Sequence, residues 1–180
     1  MTVQEVLRTR SLVLIGIRGV GKSSVGRRLA GRLGIEFIDT DELVQRSAGK
    51  TISAIFGEEG EARFREFEAA AVASALSQPG RVVSVGGGAV LRAESRDLLR
   101  ERAFCLWLTA PVDELSRRLA HDVRSPLNRP PLTDLAPAAE IARLLEERTP
   151  LYAAVADATV ETAGRTIDAV CDDILAAISG

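Results

Sequence analysis

The stretch Gly16-Ile17-Arg18-Gly19-Val20-Gly21-Lys22-Ser23 satisfies G-x-x-x-x-G-K-[ST] at every fixed position. Glycines there let the backbone turn its N–H groups onto a phosphate, Lys22 adds a mobile positive charge, and the Ser23 hydroxyl can ligate a divalent cation. The helix expected to start near Lys22 points its positive dipole end at the same place. An apolar run precedes this loop and an amphipathic stretch follows it, which is the context that separates a nucleoside triphosphate site from a chance glycine turn. The pattern by itself names no acceptor.

Further chemistry rests on carboxylates and guanidiniums. Phe37-Ile38-Asp39-Thr40-Asp41 ends an apolar run, and strand ends of an open parallel sheet face its ligand crevice, so Asp39 and Asp41 at i, i+2 can reach one site. Capping of the next helix is the alternative for either. Arg65 and Glu68 share a helix face at i, i+3; taken alone, they make a surface ion pair of small energetic value. Gly86-Gly87-Gly88 forms a second flexible turn after a strand, and Arg148-Thr149-Pro150-Leu151-Tyr152 closes a helical segment.

These side chains need a scaffold. Short apolar runs at 12–15, 35–38, 82–85 and 104–108, with a weaker one at 158–160, alternate with helical periodicities such as Val25, Leu29 and Leu33. A long helix is predicted from about Glu58 to Ser77. Runs without polar alternation suit strands covered on both faces, so the expected fold is a three-layer α/β/α sandwich on a five-stranded parallel sheet. Residues 121–137 read HDVRSPLNRPPLTDLAP, with four prolines and the arginines Arg124 and Arg129. Such a segment cannot be helical and is expected to be a mobile lid.

The 180 residues leave room for one domain spanning 1–180. A net charge of −2 and an apolar fraction of 46% argue against broad attraction to nucleic acid or membrane, and against disorder. The first ten residues lack the apolar core of a secretory leader, so a cytoplasmic protein is expected. Cys105 and Cys171 sit in apolar contexts and read as small buried hydrophobes, and His121 has no partner motif that would give it a role.

In order and spacing, these motifs resemble those of the shikimate kinases from about Leu12 to Ile178. The family's strand-end Asp-x-Asp is similar to Asp39 and Asp41, and its F-R-x-x-E to Phe64 through Glu68. Its triple glycine is similar to Gly86–Gly88, its lid Arg-Pro to Arg129-Pro130, and its R-x-P-L-Y to Arg148 through Tyr152. The resemblance implies a P-loop kinase fold and transfer of phosphate from ATP, with Mg²⁺, to the 3-hydroxyl of shikimate. It implies ATP contacts from Gly19, Val20, Gly21, Lys22, Ser23, Ser24, Arg118, Arg129 and Arg165, and a metal held by Ser23 and Asp39. Asp41, Arg65, Gly87, Gly88 and Arg148 are then the acceptor residues, with Lys22, Asp41 and Arg129 as the catalytic ones. Arg124 competes with Arg129 for the phosphate, and the neighbouring Pro130 favours Arg129. Ile167 stands where many relatives have proline near the adenine.

Rival readings are a gluconate-kinase-like or nucleoside-monophosphate-kinase-like enzyme, which would share the phosphate loop, and a nucleotide-gated switch. The acceptor-side pattern argues against the first two. No N-K-x-D element for guanine is present to support the third. A monomer with shikimate and ATP as its partners is expected.

Overall fold

The computed structural model describes residues 2–121 and 136–180. Its sheet is built on β1 (Ser11–Ile15), every residue of which is buried. β3 (Val82–Ser84) and β2 (Phe37–Asp39) lie on one side of it, and β4 (Ala103–Thr109) and β5 (Ala158–Glu161) on the other, giving the order β2-β3-β1-β4-β5. All four pairings are parallel, with Leu12 aligned with both Val82 and Phe104. The runs at 12–15, 82–85 and 104–108 thus became the interior strands, as their lack of polar alternation predicts, while those at 35–38 and 158–160 became the edges β2 and β5.

Alternation along β1 divides the core between the two faces of the sheet. Leu12 and Leu14 pack with Val25 and Leu29 of α2 (Lys22–Leu33), Leu115 of α6 (Val112–His121) and Ile174 of α8 (Ile167–Ser179). Val13 and Ile15 pack instead with Val72 of α4 (Ile52–Ala75), Leu99 of α5 (Ala93–Arg102) and Tyr152 of α7 (Pro137–Ala153). This is the expected three-layer arrangement. A third cluster lies apart: Val44 of α3 (Thr40–Ala48) packs with Ile52, Ile55, Phe64 and Ala71 of α4.

Several boundaries differ from expectation. The first ten residues hold a helix, α1 (Val3–Thr9), whose start is fixed by a reciprocal capping box between Thr2 and Glu5. α4 begins at Ile52 rather than near Glu58, because Thr51 caps it by accepting from the Ala54 N–H. Inside α4, Gly60 leaves helical geometry at φ 82° and ψ 173°, a kink that divides the helix. β2 starts two residues later than its apolar run. Cys105 and Cys171 are buried free thiols, and His121 is exposed at the end of α6. Most of the expected lid, including Arg124 and Arg129, lies outside the described residues, and Pro137 opens α7. No described helix is long and apolar enough to cross a membrane.

Candidate active site

The glycine loop joins the central strand β1 to α2. Gly16 holds φ 136°, and a side chain there would meet the Leu108 carbonyl, so this sharp exit from the strand needs glycine. Gly21 caps α2 without a side-chain hydrogen bond, which leaves the first-turn N–H groups available to an anion. The Lys22 ammonium is buried and folded back on the loop, donating to the Gly16 carbonyl at 2.8 Å and the Ile17 carbonyl at 2.9 Å.

Where β2 passes into α3, Asp39 serves two partners. Its Oδ1 accepts from the Asp41 N–H at 3.0 Å and caps α3, while its Oδ2 accepts from the Ser23 hydroxyl at 2.6 Å. Both readings of the Asp pair therefore meet in one residue. Burial pushes the Asp39 carboxyl above its usual range; the Ser23 bond pulls it back, and the charge of Asp41 adds to the rise. The pair Ser23 and Asp39 is a hard oxygen donor set of the kind that suits Mg²⁺, which takes few protein ligands and keeps several waters.

At the far end of β3 the three glycines have a use the sequence did not suggest. None of Gly86, Gly87 and Gly88 has positive φ. What matters is close approach: a side chain on Gly88 would land on the Arg65 guanidinium, and one on Gly87 would lie 3.5 Å from Arg148 Nη1. Nor is the Arg65–Glu68 pair a surface pair. Arg65 donates from Nη1 to Glu68 at 2.7 Å, and Glu68 is only 2% exposed. Glu61 holds the opposite edge of the same guanidinium. Arg148 differs sharply: it is 6% exposed, its Nε meets no hydrogen-bond partner, and no ion pair involves it among the described residues.

At the other end, Arg118 is fastened to Glu114, to the Val20 carbonyl and to both the hydroxyl and carbonyl of Thr162. Arg165 pairs with Asp173 at 2.6 Å, and Ile167 is exposed beside it. One cleft of about 870 Å³ runs from Arg118, Arg165 and Ile167 past Gly19–Ser24, Asp39 and Asp41 to Gly87. Arg65, Gly88 and Arg148 are not among the residues that line this cleft, but both guanidiniums lie against its Gly87–Gly88 end.

Sequence reasoning missed Arg18, Glu114 and Thr162. Arg18, inside the phosphate loop, pairs at 3.1 Å with the buried Glu140 of α7. Glu114 sits three and four residues before Arg117 and Arg118, a helical spacing that was readable. Nothing in the sequence marks Thr162, whose role depends on a neighbouring strand.

The shikimate kinase family model matches residues 18–179. The shikimate kinase of Halorhodospira halophila is 44% identical over 174 residues, covering 96% of both chains. Among solved structures, shikimate kinase from Acinetobacter baumannii in complex with shikimate superposes with a TM-score of 0.89 at 35% identity, covering 98% of this chain and 96% of that one. A gluconokinase from Sinorhizobium meliloti, 22% identical with a TM-score of 0.59 over 96% and 93% of the two chains, shares the fold alone. With a complete phosphate loop, a strand-end carboxylate pair and a glycine turn backed by two arginines, this chain belongs to the shikimate kinase family.

Proposed function

We propose that this protein transfers the γ-phosphoryl group of ATP to the 3-hydroxyl of shikimate, giving shikimate 3-phosphate and ADP, as a step toward chorismate and the aromatic amino acids. One observation carries the choice of acceptor. A buried, unpaired guanidinium is costly unless an anion arrives, and Arg148 holds that state beside Gly87, next to the Gly88 contact of Arg65. Two guanidiniums converging on one turn suit a planar carboxylate.

The nucleotide lies along the loop with its phosphates on the N–H groups of Gly19–Ser24. Arg118 and Arg165 flank the base, Ile167 offers it an apolar surface, and Lys22 exchanges its carbonyl partners for phosphate oxygens. Ser23 and Asp39 would hold Mg²⁺, which supplies neutralisation of charge on the β- and γ-phosphates. Asp41 accepts a hydrogen bond from the acceptor hydroxyl and takes its proton as the new O–P bond forms. The bond between the γ-phosphorus and the bridging oxygen breaks, and ADP leaves with that electron pair. Arg129 caps the transferring group, with Arg124 the alternative. Arg65 and Arg148 hold the acceptor carboxylate, while Gly87 and Gly88 keep the turn bare so that the acceptor can approach.

The chain is read as one kinase domain with a lid at about 121–137, working as a monomer in the cytoplasm without nucleic acid or membrane. A coupled assay of ADP release with shikimate, gluconate, AMP and quinate offered separately tests the acceptor. Release that depends on shikimate supports the proposal, and release with gluconate or AMP instead overturns it. Comparing kcat for Arg129→Ala and Arg124→Ala tests the lid: the larger loss is expected at Arg129.

A further inference from the structure

Three successive residues without side chains cannot hold themselves in place by packing, yet Gly86–Gly88 must stand still if two arginines are to meet one carboxylate. Two buried hydroxyls reach this turn, one from α3 and one from α7. The Thr40 hydroxyl accepts from the Gly86 N–H at 3.2 Å, and the Tyr152 hydroxyl donates to the Gly87 carbonyl at 2.6 Å. Both side chains are fully buried, and neither lines the cleft.

Each hydroxyl belongs to an element that carries acceptor chemistry. Thr40 stands between Asp39 and Asp41 at the first position of α3. Its hydroxyl is not needed as the helix cap, since Asp39 already accepts the Asp41 N–H. Tyr152 lies four residues after Arg148 in α7, so the two project from one face of the helix, and both arrive at Gly87. Its ring packs on Trp107 with centroids 5.8 Å apart, a contact that a phenylalanine would keep.

We infer that Thr40 and Tyr152 are positioning residues for phosphoryl transfer: their hydroxyls set the spacing between the base Asp41, the Gly87 turn and the guanidinium of Arg148. The inference rests on the reading of Arg65 and Arg148 as the carboxylate clamp. Thr40 locks the start of α3 to the turn, and Tyr152 locks the register of α7 to it. Without either bond, a buried backbone group of the turn loses its partner and the turn shifts to recover one.

Thr40→Val and Tyr152→Phe remove the hydroxyls while keeping size and packing. Steady-state kinetics on both variants, on Thr40→Ser and on wild type should be run with shikimate and with an analogue lacking the carboxylate. Each hydroxyl deletion is expected to raise KM for shikimate by about two- to tenfold, the worth of one net hydrogen bond. KM for ATP should stay at the wild-type value, Thr40→Ser should restore the shikimate KM, and turnover of the analogue should change less than that of shikimate. Equal changes in both KM values, failure of serine to rescue, or silence of both deletions would overturn the inference. Tyr152→Phe decides the matter if Thr40→Val does not fold. Wild type that accepts the analogue as readily as shikimate would instead overturn the clamp, and the inference with it.

Discussion

Arg65 and Arg148 are assigned the same task, yet replacing them with methionine should change stability in opposite directions. Arg148 has a buried Nε with no partner, and an unsatisfied buried donor costs roughly 1–3 kcal/mol. Arg148→Met keeps most of the side-chain volume and removes that cost. The ligand-free protein should gain about that much, a rise in Tm on the order of 2–10 °C for a chain of this size. Arg65→Met, by contrast, strands Glu68, which is 2% exposed and already has an unpaired Oε1. Breaking a buried pair in this way costs roughly 3–5 kcal/mol. Both variants should lose acceptor recognition: a desolvated charged contact is worth about 2–5 kcal/mol, or roughly 30- to 4,000-fold in kcat/KM for shikimate. Thermal unfolding without ligand, paired with the coupled ADP assay, reads both quantities. If Arg148→Met unfolds earlier than wild type, Arg148 is a structural side chain and the argument from its unpaired charge fails.

Lys22→Ala should leave the fold intact, because water can satisfy the Gly16 and Ile17 carbonyls it bonds, and should lower kcat by roughly 10²–10³-fold or more; near-normal activity in a folded variant would remove the loop from the mechanism. Gly88→Ala should raise KM for shikimate and lower Tm together, since the added methyl would land on the Arg65 guanidinium and push it off buried Glu68; an unchanged KM would contradict this. Burial pushes the Cys105 thiol up to about 12 and raises that of Cys171 as well, so neither forms thiolate at neutral pH. Mass spectrometry after iodoacetamide treatment should find both thiols unmodified in native protein and alkylated after unfolding.

The sheet was legible because its central strands β1, β3 and β4 are covered on both faces, so their apolar runs are unbroken, and the phosphate loop was legible because its chemistry needs adjacent residues in a fixed order. The kink at Gly60 was hidden, since a glycine within a helical pattern does not announce its φ. In the sequence Gly86–Gly88 suggests backbone freedom, whereas the structure uses its lack of side chains, a property visible only once Arg65 and Arg148 arrive from distant elements. For the same reason the Arg65–Glu68 spacing suggests a surface pair: it is local, whereas the approach of Gly88 to the Arg65 guanidinium comes from a distant turn. Arg18 with Glu140 and Arg118 with Thr162 span 122 and 44 residues, respectively, and no local pattern encodes such pairings.

The third apolar cluster has a consequence for how such an enzyme can diverge. Val44, Ile52, Ile55, Phe64 and Ala71 form a core of their own, and Leu43 is the partly buried side chain that packs both on it and on the sheet. The helices around this core bring Asp41 at the start of α3 and Arg65 in the middle of α4, while the phosphate loop rests on the sheet's own clusters. Substitutions that reshape the acceptor end can be compensated within the α3–α4 lobe, leaving the seat of the triphosphate unaltered. A lineage with this architecture can change what it phosphorylates while its phosphate donor, and the machinery that grips it, stays the same.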